Sequence, residues 1–413
     1  MTKHDEELVR HGILLMAAAQ ISSVCNILFH GAMGRLLPGP EYGILSSMLA
    51  IMLIIGTPIE ALRTAFAHYA ARAVQDNDRG RILTLMKLWS RRLAWVAVAA
   101  VLIGVFASHH IAAYFHMTDT RPVLLTAVVT AGLLYVPLFA GALQGAQSFI
   151  WMSVCLQGLA VVRLVVSVLV VWFVTRTATA GVFGQAVGVA AVLVIGLKGL
   201  QDTVRGEKPA DVVTGGVGGY LAQSLVMLSA FAVVMNIDVM LVRHYLPEEA
   251  TRFARAATLG RAIIFLPMPI AFALFPKVVS TGGMTKSSRG LLLKAIGMAL
   301  VIIGAGLVVC SIVPQLPLRI MYGDTDPQTG HLFRLMIWAL TPMALTYLLM
   351  NFEMAQHRFT MTPAMTACAL GYVGGVIFWH DRPEHIIAVL AVVSTLSAIA
   401  FLAGIPWRVK QEA

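Results

Sequence analysis

The chain is 413 residues long, 58% hydrophobic and only 12% charged, with a mean hydropathy of +0.81, whereas a soluble domain is about 25% charged. That balance excludes an ordinary soluble enzyme, a disordered chain and a disulfide-stapled secreted module. The formal net charge of +10 comes without any basic run interleaved with aromatics, which argues against nucleic acid as a partner and leaves basic membrane loops as its source.

A bilayer core needs about 20 apolar residues per helix, and twelve such stretches follow one another. The opening MTKHDEELVRHG is charged and leads into a run too long for a cleaved signal sequence, so the first span is expected in the mature protein. Spans are expected at Ile13–Arg35, Ile44–Phe66, Leu93–Ala107, Val123–Leu143, Phe149–Thr175 and Val182–Leu200. Arg91 and Arg92 shorten the third. A polar, Gly- and Pro-rich linker, Thr203 to Gly219, follows. The remaining spans are expected at Tyr220–Val242, Arg255–Phe275, Leu291–Val313, Leu332–Phe352, Met361–Trp379 and Ile386–Ile405. The expected fold is an all-α polytopic membrane protein of about twelve transmembrane helices in two pseudo-symmetric six-helix lobes, residues 1–205 and 206–413.

With both termini in the cytoplasm, cytoplasmic segments carry 18 of the 30 Lys and Arg, outer segments 9 and the spans 3. This bias fits an even number of spans with both ends and the basic loops on the cytoplasmic side. The excess concentrates from Arg72 to Arg92, from Lys198 to Lys208 and from Lys277 to Lys294. The two halves also share a turn: GRLLPGPEYGIL after span one and VRHYLPEEATRFA after span seven. Placing Arg35 on Arg243 puts Glu41 on Glu249 and Leu45 on Phe253. Six spans separate the copies, so the repeat is parallel, about an axis near the membrane normal.

Ionisable residues inside spans are costly unless they meet water or a partner, so they are the candidate functional residues. There are six: Glu60 and Arg63 on span two, Arg163 on span five, Asp238 on span seven, Arg261 on span eight and Glu353 near the end of span ten. Glu60 and Arg63 are three apart and share a helix face, as a structural pair or as part of a path. Arg163 has no charge within several turns of its own helix. It meets a carboxylate such as Glu60 or faces a cavity that admits an anionic head group. Arg261 either snorkels to the outer interface beside Arg252 and Arg255 or points inward, with Phe265 one turn on. Asp238 is close to Arg243 for an interfacial pair and to Asn236 for a polar patch. Pro58, Pro137, Pro267, Pro269 and Pro342 lie in spans, where each frees a backbone carbonyl and allows bending.

Other signals carry less. Cys25, Cys155, Cys310 and Cys368 are scattered through apolar runs without metal or redox spacing. His109, His110, His116 and Asp119 do not form a known ligand set, so no metal site is expected. DNDRGRI at Asp76 reads as a solvated charged loop. No phosphate loop, nucleophile elbow or carboxylate pair suggests covalent chemistry, so no catalytic residue and no enzyme is expected.

Two stretches resemble the oligosaccharide flippases, the polysaccharide biosynthesis proteins of the multidrug/oligosaccharidyl-lipid/polysaccharide exporter superfamily. The first runs from Arg35 to Gly43, with its Arg-Leu-Leu turn, acidic residue and Tyr-Gly. The second holds Asn236, Asp238, Glu248, Glu249, Arg261, Leu266, Pro267, Phe275 and Pro276. The resemblance covers about the first 70 residues and Gly219 to Ser280. It departs at Thr251-Arg252-Phe253, where the family has Gly-x-Tyr, and at twelve spans, where the peptidoglycan-precursor flippases of the superfamily have fourteen.

The resemblance implies two six-helix lobes around a central, often cationic cavity, lined by Arg163, Arg261, Arg63, Glu60, Asp238, Asn236 and Glu353. That cavity would open alternately to each side and carry a polyprenyl-diphosphate-linked oligosaccharide across the bacterial inner membrane. The partners implied are the lipid-linked glycan, membrane lipids and glycan-synthesis enzymes. No cofactor is expected beyond a coupling ion, Na⁺ or H⁺. The alternative within the superfamily is a cation-coupled drug or small-molecule exporter, which needs intramembrane carboxylates as its coupling site. A glycan polymerase or ligase needs larger outer loops than Ser108–Thr120 and Pro314–Gly330, and a scaffold role has no feature of its own.

Overall fold

The structure, a computed structural model, describes residues 3–211, 218–267, 286–356 and 358–405. Every regular element among the described residues is a helix. In chain order these are α1 (Lys3–Leu36), α2 (Glu41–Gln75), α3 (Gly80–Phe106), α4 (Ser108–Tyr114), α5 (Arg121–Leu133), α6 (Val136–Gly145), α7 (Phe149–Phe173) and α8 (Ala178–Thr203). Then come α9 (Gly218–Tyr245), α10 (Ala250–Gly260), α11 (Ala262–Phe265), α12 (Lys286–Ile312), α13 (Gln315–Tyr322), α14 (Pro327–Ala355), α15 (Thr362–Phe378) and α16 (Pro383–Gly404).

Among the described residues ten helical segments are long and apolar enough to cross a membrane, and α15 is a shorter apolar helix. Twelve spans were expected, and the eighth is described only in part. Its start holds α10 and α11, while 268–275, with Pro269 and Phe275, lies outside the described residues. The chain forms two compact units, Met1–Leu221 and Ala222–Ala413.

Several boundaries differ from expectation for physical reasons. The third span is not short: α3 starts at Gly80 and runs 27 residues, with Lys87, Arg91 and Arg92 in its first half. Charged residues shorten the apolar run without ending the helix, since Lys and Arg are good helix formers. The fourth span breaks into α5 and α6 around Leu134 and Tyr135. Pro137 has no N–H to return to the carbonyl of Leu133, so the helix restarts with the proline in its first turn. Pro58 and Pro342 instead sit inside α2 and α14, which continue past them.

Within the N-terminal unit α7 packs on α8 and α1, and α2 packs on α6. Lipid tails are as apolar as leucine, so burial alone does not drive these contacts; close approach and polar bonds do. On α6, Gly141 and Gly145 share a face. A Cβ at Gly141 would stand 2.7 Å from the Phe66 Cβ, and one at Gly145 would stand 2.6 Å from the Ala70 Cβ. The missing side chains let α2 and α6 touch nearly backbone to backbone. Trp95, Phe106 and Trp172, by contrast, are largely exposed, as lipid-facing side chains are.

Hydrogen bonds tie the turns of this unit in alternation. Arg79 donates to the Thr203 carbonyl at 3.2 Å, Thr84 to the Ala210 carbonyl at 2.7 Å, and the Ser148 and Thr203 hydroxyls are 2.8 Å apart. The turns after α2, α6 and α8 therefore share one end. At the other end, Glu41 accepts from the Ala178 N–H at 2.6 Å, joining the turn after α1 to the start of α8. Six crossings satisfy this pattern.

In the C-terminal unit α14 packs on α16 and α10. Arg252 pairs with Glu249 at 2.9 Å and Asp326 at 2.8 Å, and Arg255 pairs with Asp324 at 2.9 Å. The Tyr245 ring stacks on His380 at 3.8 Å. These contacts gather the turns after α9, α13 and α15 at one end of the unit. Its hydrogen bonds to Glu249 and Asp326 hold the Arg252 guanidinium above its ordinary value.

Candidate functional site

The charged groups inside the membrane segments fall into four local arrangements. The first is on α2. Glu60 and Arg63 are paired at 2.8 Å, one turn apart, and the second arm of Arg63 donates to the Gln144 side-chain oxygen on α6 at 2.8 Å. Glu60 keeps about half of its side-chain surface exposed.

The second surrounds Arg163 on α7. Asn26 and Phe29 are three apart on α1, so they present one face to α7. The guanidinium donates through Nη2 to the Asn26 amide oxygen and through Nη1 to the Gln185 amide oxygen on α8 at 3.2 Å. Its central carbon lies 4.0 Å from the centre of the Phe29 ring. Nε has no hydrogen-bond partner, and the residue is 8% exposed. Arg163 therefore does not pair with Glu60, which is engaged by Arg63. Nor does it open onto a broad space within its unit; Asn26 is the exposed member of the group. Two neutral amides and an aromatic face solvate the guanidinium but leave its charge uncancelled.

The third joins α9 to the break between α10 and α11. Arg261 Nη2 donates to Asp238 Oδ1, an oxygen that also accepts the Val239 N–H at 2.8 Å. The Asp238 side chain is 2% exposed and that of Arg261 16%. Asp238 thus pairs with neither Arg243, which donates to the Pro247 carbonyl at 3.4 Å, nor Asn236, which donates to the Ala232 carbonyl at 2.9 Å. Arg261 turns inward instead of snorkelling, because a buried carboxylate is within reach. Tyr372 of α15 is fully buried, and its hydroxyl has no hydrogen-bond partner. It lies within the electrostatic reach of both Asp238 and Arg261. Beside this group Tyr347 stacks on Phe231, with ring centres 5.0 Å apart, and meets Phe265 edge-on.

The fourth is Glu353, 4% exposed. It accepts from the Thr360 hydroxyl at 2.6 Å and the Met361 N–H at 3.4 Å. A carboxylate here satisfies the orphan donors at the start of α15. The position fits a cap that fixes the turn between α14 and α15.

Within their own units the structure brings together Glu60 with Arg63, and Asp238 with Arg261. It does not join Arg163 to any acid among the described residues. Sequence reasoning missed Asn26, Phe29, Gln185, Gln144 and Tyr372. Three of these are amides inside apolar runs, a signal passed over because only ionisable residues were sought. Among the described residues no group of three His, Cys, Asp or Glu is placed to hold a metal.

No protein-family profile and no curated protein matches this sequence. Solved structures do. A multidrug resistance MATE family transporter of the MOP superfamily, in an inward-facing conformation, superposes with a TM-score of 0.69 at 11% identity, over 95% of this chain and 97% of the other. The lipid II flippase MurJ, in an inward closed conformation, gives 0.70 at 10% identity, over 95% and 87%. A MOP superfamily transporter from Pyrococcus furiosus gives 0.61 at 13% identity, over 96% and 94%. At this identity the likeness is one of fold, and it extends over nearly the whole chain.

Proposed function

We propose that the protein is a flippase that carries a polyprenyl-diphosphate-linked oligosaccharide across the bacterial inner membrane by alternating access between its two helical bundles, with both termini in the cytoplasm. The observation that carries this reading is the charge balance inside the membrane segments. Their three carboxylates are all engaged: Glu60 by Arg63, Asp238 by Arg261 and Glu353 by the start of α15. Among the described residues Arg163 is the one cation of the three with no acid beside it, while Glu353 is held by a hydroxyl and a backbone N–H. An exporter of organic cations needs a free acid in the membrane, whereas an anionic head group needs a free cation.

A buried, uncancelled guanidinium costs several kcal/mol, which a bound anion offsets. The planar donors of Arg suit a diphosphate better than a point charge does. The prenyl tail can stay in lipid while the head group and glycan pass between the bundles, and no catalytic step is needed. Enzymes that build and consume the lipid-linked glycan are the natural partners. The likeness to both a lipid II flippase and multidrug transporters supports a transport role and leaves the cargo to the charge argument.

The test is reconstitution of the purified protein in liposomes holding a fluorescent polyprenyl-diphosphate oligosaccharide. Membrane-impermeant quencher should reach the inner-leaflet fraction only when the protein is present. Unchanged protection of that fraction, together with uptake of an organic cation, would replace this reading with a drug exporter.

A further inference from the structure

The Asp238–Arg261 pair is lopsided in a way that a purely structural ion pair does not require. The acid is almost wholly enclosed, while the guanidinium keeps 16% of its side-chain surface open. Arg261 stands between α10 and α11, where the backbone stays helical but the ladder tightens from its own N–H on the Ala257 carbonyl to the Ile264 N–H on the Arg261 carbonyl. Phe265, one turn on, and Leu266 are 57% and 38% exposed. A cation with an open apolar surface beside it is the complement of an amphiphilic anion, a phosphorylated lipid in particular.

The acid's surroundings are prepared for the loss of its cation. Among the described residues, the charged and titratable groups that face Asp238 are Arg261 from the α10–α11 break and Tyr372 from α15. Asn236, on its own helix, is occupied with the Ala232 carbonyl. The Tyr372 hydroxyl is unpartnered in a fully buried position. An enclosed hydroxyl without a protein partner is rare and keeps both a donor and an acceptor available.

Resting on the cargo reading above, we infer that Asp238 is a built-in competitor for the anion site of Arg261, and that head-group binding exchanges it for a phosphate and loads it with a proton. Arg261 gives up its hydrogen bond to Asp238 Oδ1 and donates to phosphate oxygens. The carboxylate, left without a cation in a site that excludes water, takes a proton from the solvent. The neutral carboxyl then has an O–H to donate, and the buried Tyr372 hydroxyl, unpartnered and within electrostatic reach, is the acceptor we assign to it. A carboxylate occupant also sets a threshold: a diphosphate, with several charged oxygens, displaces it, and a single carboxylate does not. Each head group bound therefore brings one proton into the C-terminal unit.

The experiment uses the purified full chain in nanodiscs and farnesyl diphosphate as the probe. It is done at slightly alkaline pH, where the diphosphate is fully ionised. Titration calorimetry in two buffers of different ionisation enthalpy counts protons taken up per probe bound. Uptake close to one proton in the wild type is the expected result. Asp238→Asn should take up none and bind roughly tenfold more tightly, a 1.4 kcal/mol gain. Wild-type binding without proton uptake overturns the exchange and leaves the cargo reading standing; this arm needs no variant. If neither protein binds the probe, the cargo reading falls and the exchange with it.

Discussion

Arg163 reaches from α7 to lay its guanidinium 4.0 Å over the ring of Phe29, a residue of α1 more than a hundred positions away in the chain. The same guanidinium holds Asn26, one turn earlier on α1, and Gln185 on α8. Three helices of one bundle are thereby fastened by a cation that no acid neutralises, and that combination separates the effects of changing it.

Arg163→Met should leave the protein in the membrane, at a cost of about 1–3 kcal/mol for two amides that lose their donor, while flipping falls to background. Arg163→Lys should keep part of the activity. Glu60→Gln should not rescue either variant, because Glu60 belongs to Arg63. Membrane abundance and flipping rate measured side by side decide it: recovery of both in the Arg163→Met, Glu60→Gln double variant would mean that the two residues are partners after all.

Removing one member of the Asp238–Arg261 pair should cost very different amounts. Arg261→Ala leaves an enclosed carboxylate unpaired, worth about 3–5 kcal/mol. The carboxylate must then be neutral to stay buried, so the variant is stable at low pH and loses stability as pH rises. Asp238→Asn leaves the partly open guanidinium and should cost less. Thermal unfolding followed from pH 5 to pH 8 reads both. A flat profile for Arg261→Ala would mean that the acid has another cation.

Gly145→Leu should lower abundance sharply. Its Cβ alone meets Ala70 and the Ala71 nitrogen, at 2.6 and 2.7 Å, and overpacking of this kind costs about 1–3 kcal/mol or more. Gly56→Ala on the opposing helix α2 meets nothing within 4 Å and should gain about 0.5–1 kcal/mol of helix stability. Paired unfolding curves in detergent test the contrast, and equal effects would show that the α2–α6 approach is looser than described.

Single cysteines placed in a Cys-free background should sort by end. Positions 78, 148 and 208 should react with an impermeant thiol reagent from the cytoplasm, and positions 41, 119 and 249 from outside. The hydrogen bonds from Thr84 to Ala210 and from Ser148 to Thr203 require the first three to agree. Opposite labelling of positions 78 and 208 would remove a crossing from the N-terminal bundle.

How much of this was readable in the sequence depends on the range of each interaction. Apolar run length locates the spans, and the spacing of Glu60 and Arg63 announces their pair because both lie on one helix. Arg163 advertised its cost but not its partners, which are amides on other helices, and an amide leaves almost no trace in hydropathy. Arg261 lay near enough to the interface to suggest snorkelling; only the packing of α9 against the α10–α11 break brings Asp238 to it. The break at Leu134 and Tyr135 is in keeping with Pro137, which leaves the Leu133 carbonyl without its helical N–H, although α2 and α14 run on past Pro58 and Pro342.

The two turns that share a sequence pattern are fastened differently. Glu41 is spent on a single backbone N–H at the start of α8, shielded and local. Its counterpart Glu249 hands over to Arg252, which passes on to Asp326, with Arg255 and Asp324 alongside. Salt screens exposed charges beyond about 8 Å at physiological strength and beyond about 3 Å at 1 M. Only concentrated salt thus reaches the partly exposed Arg252 pairs, while the shorter Glu41 bond to a backbone N–H feels it less. A rise in ionic strength should therefore slacken the turn after α9 and spare the turn after α1, so that salt loads the two units unequally.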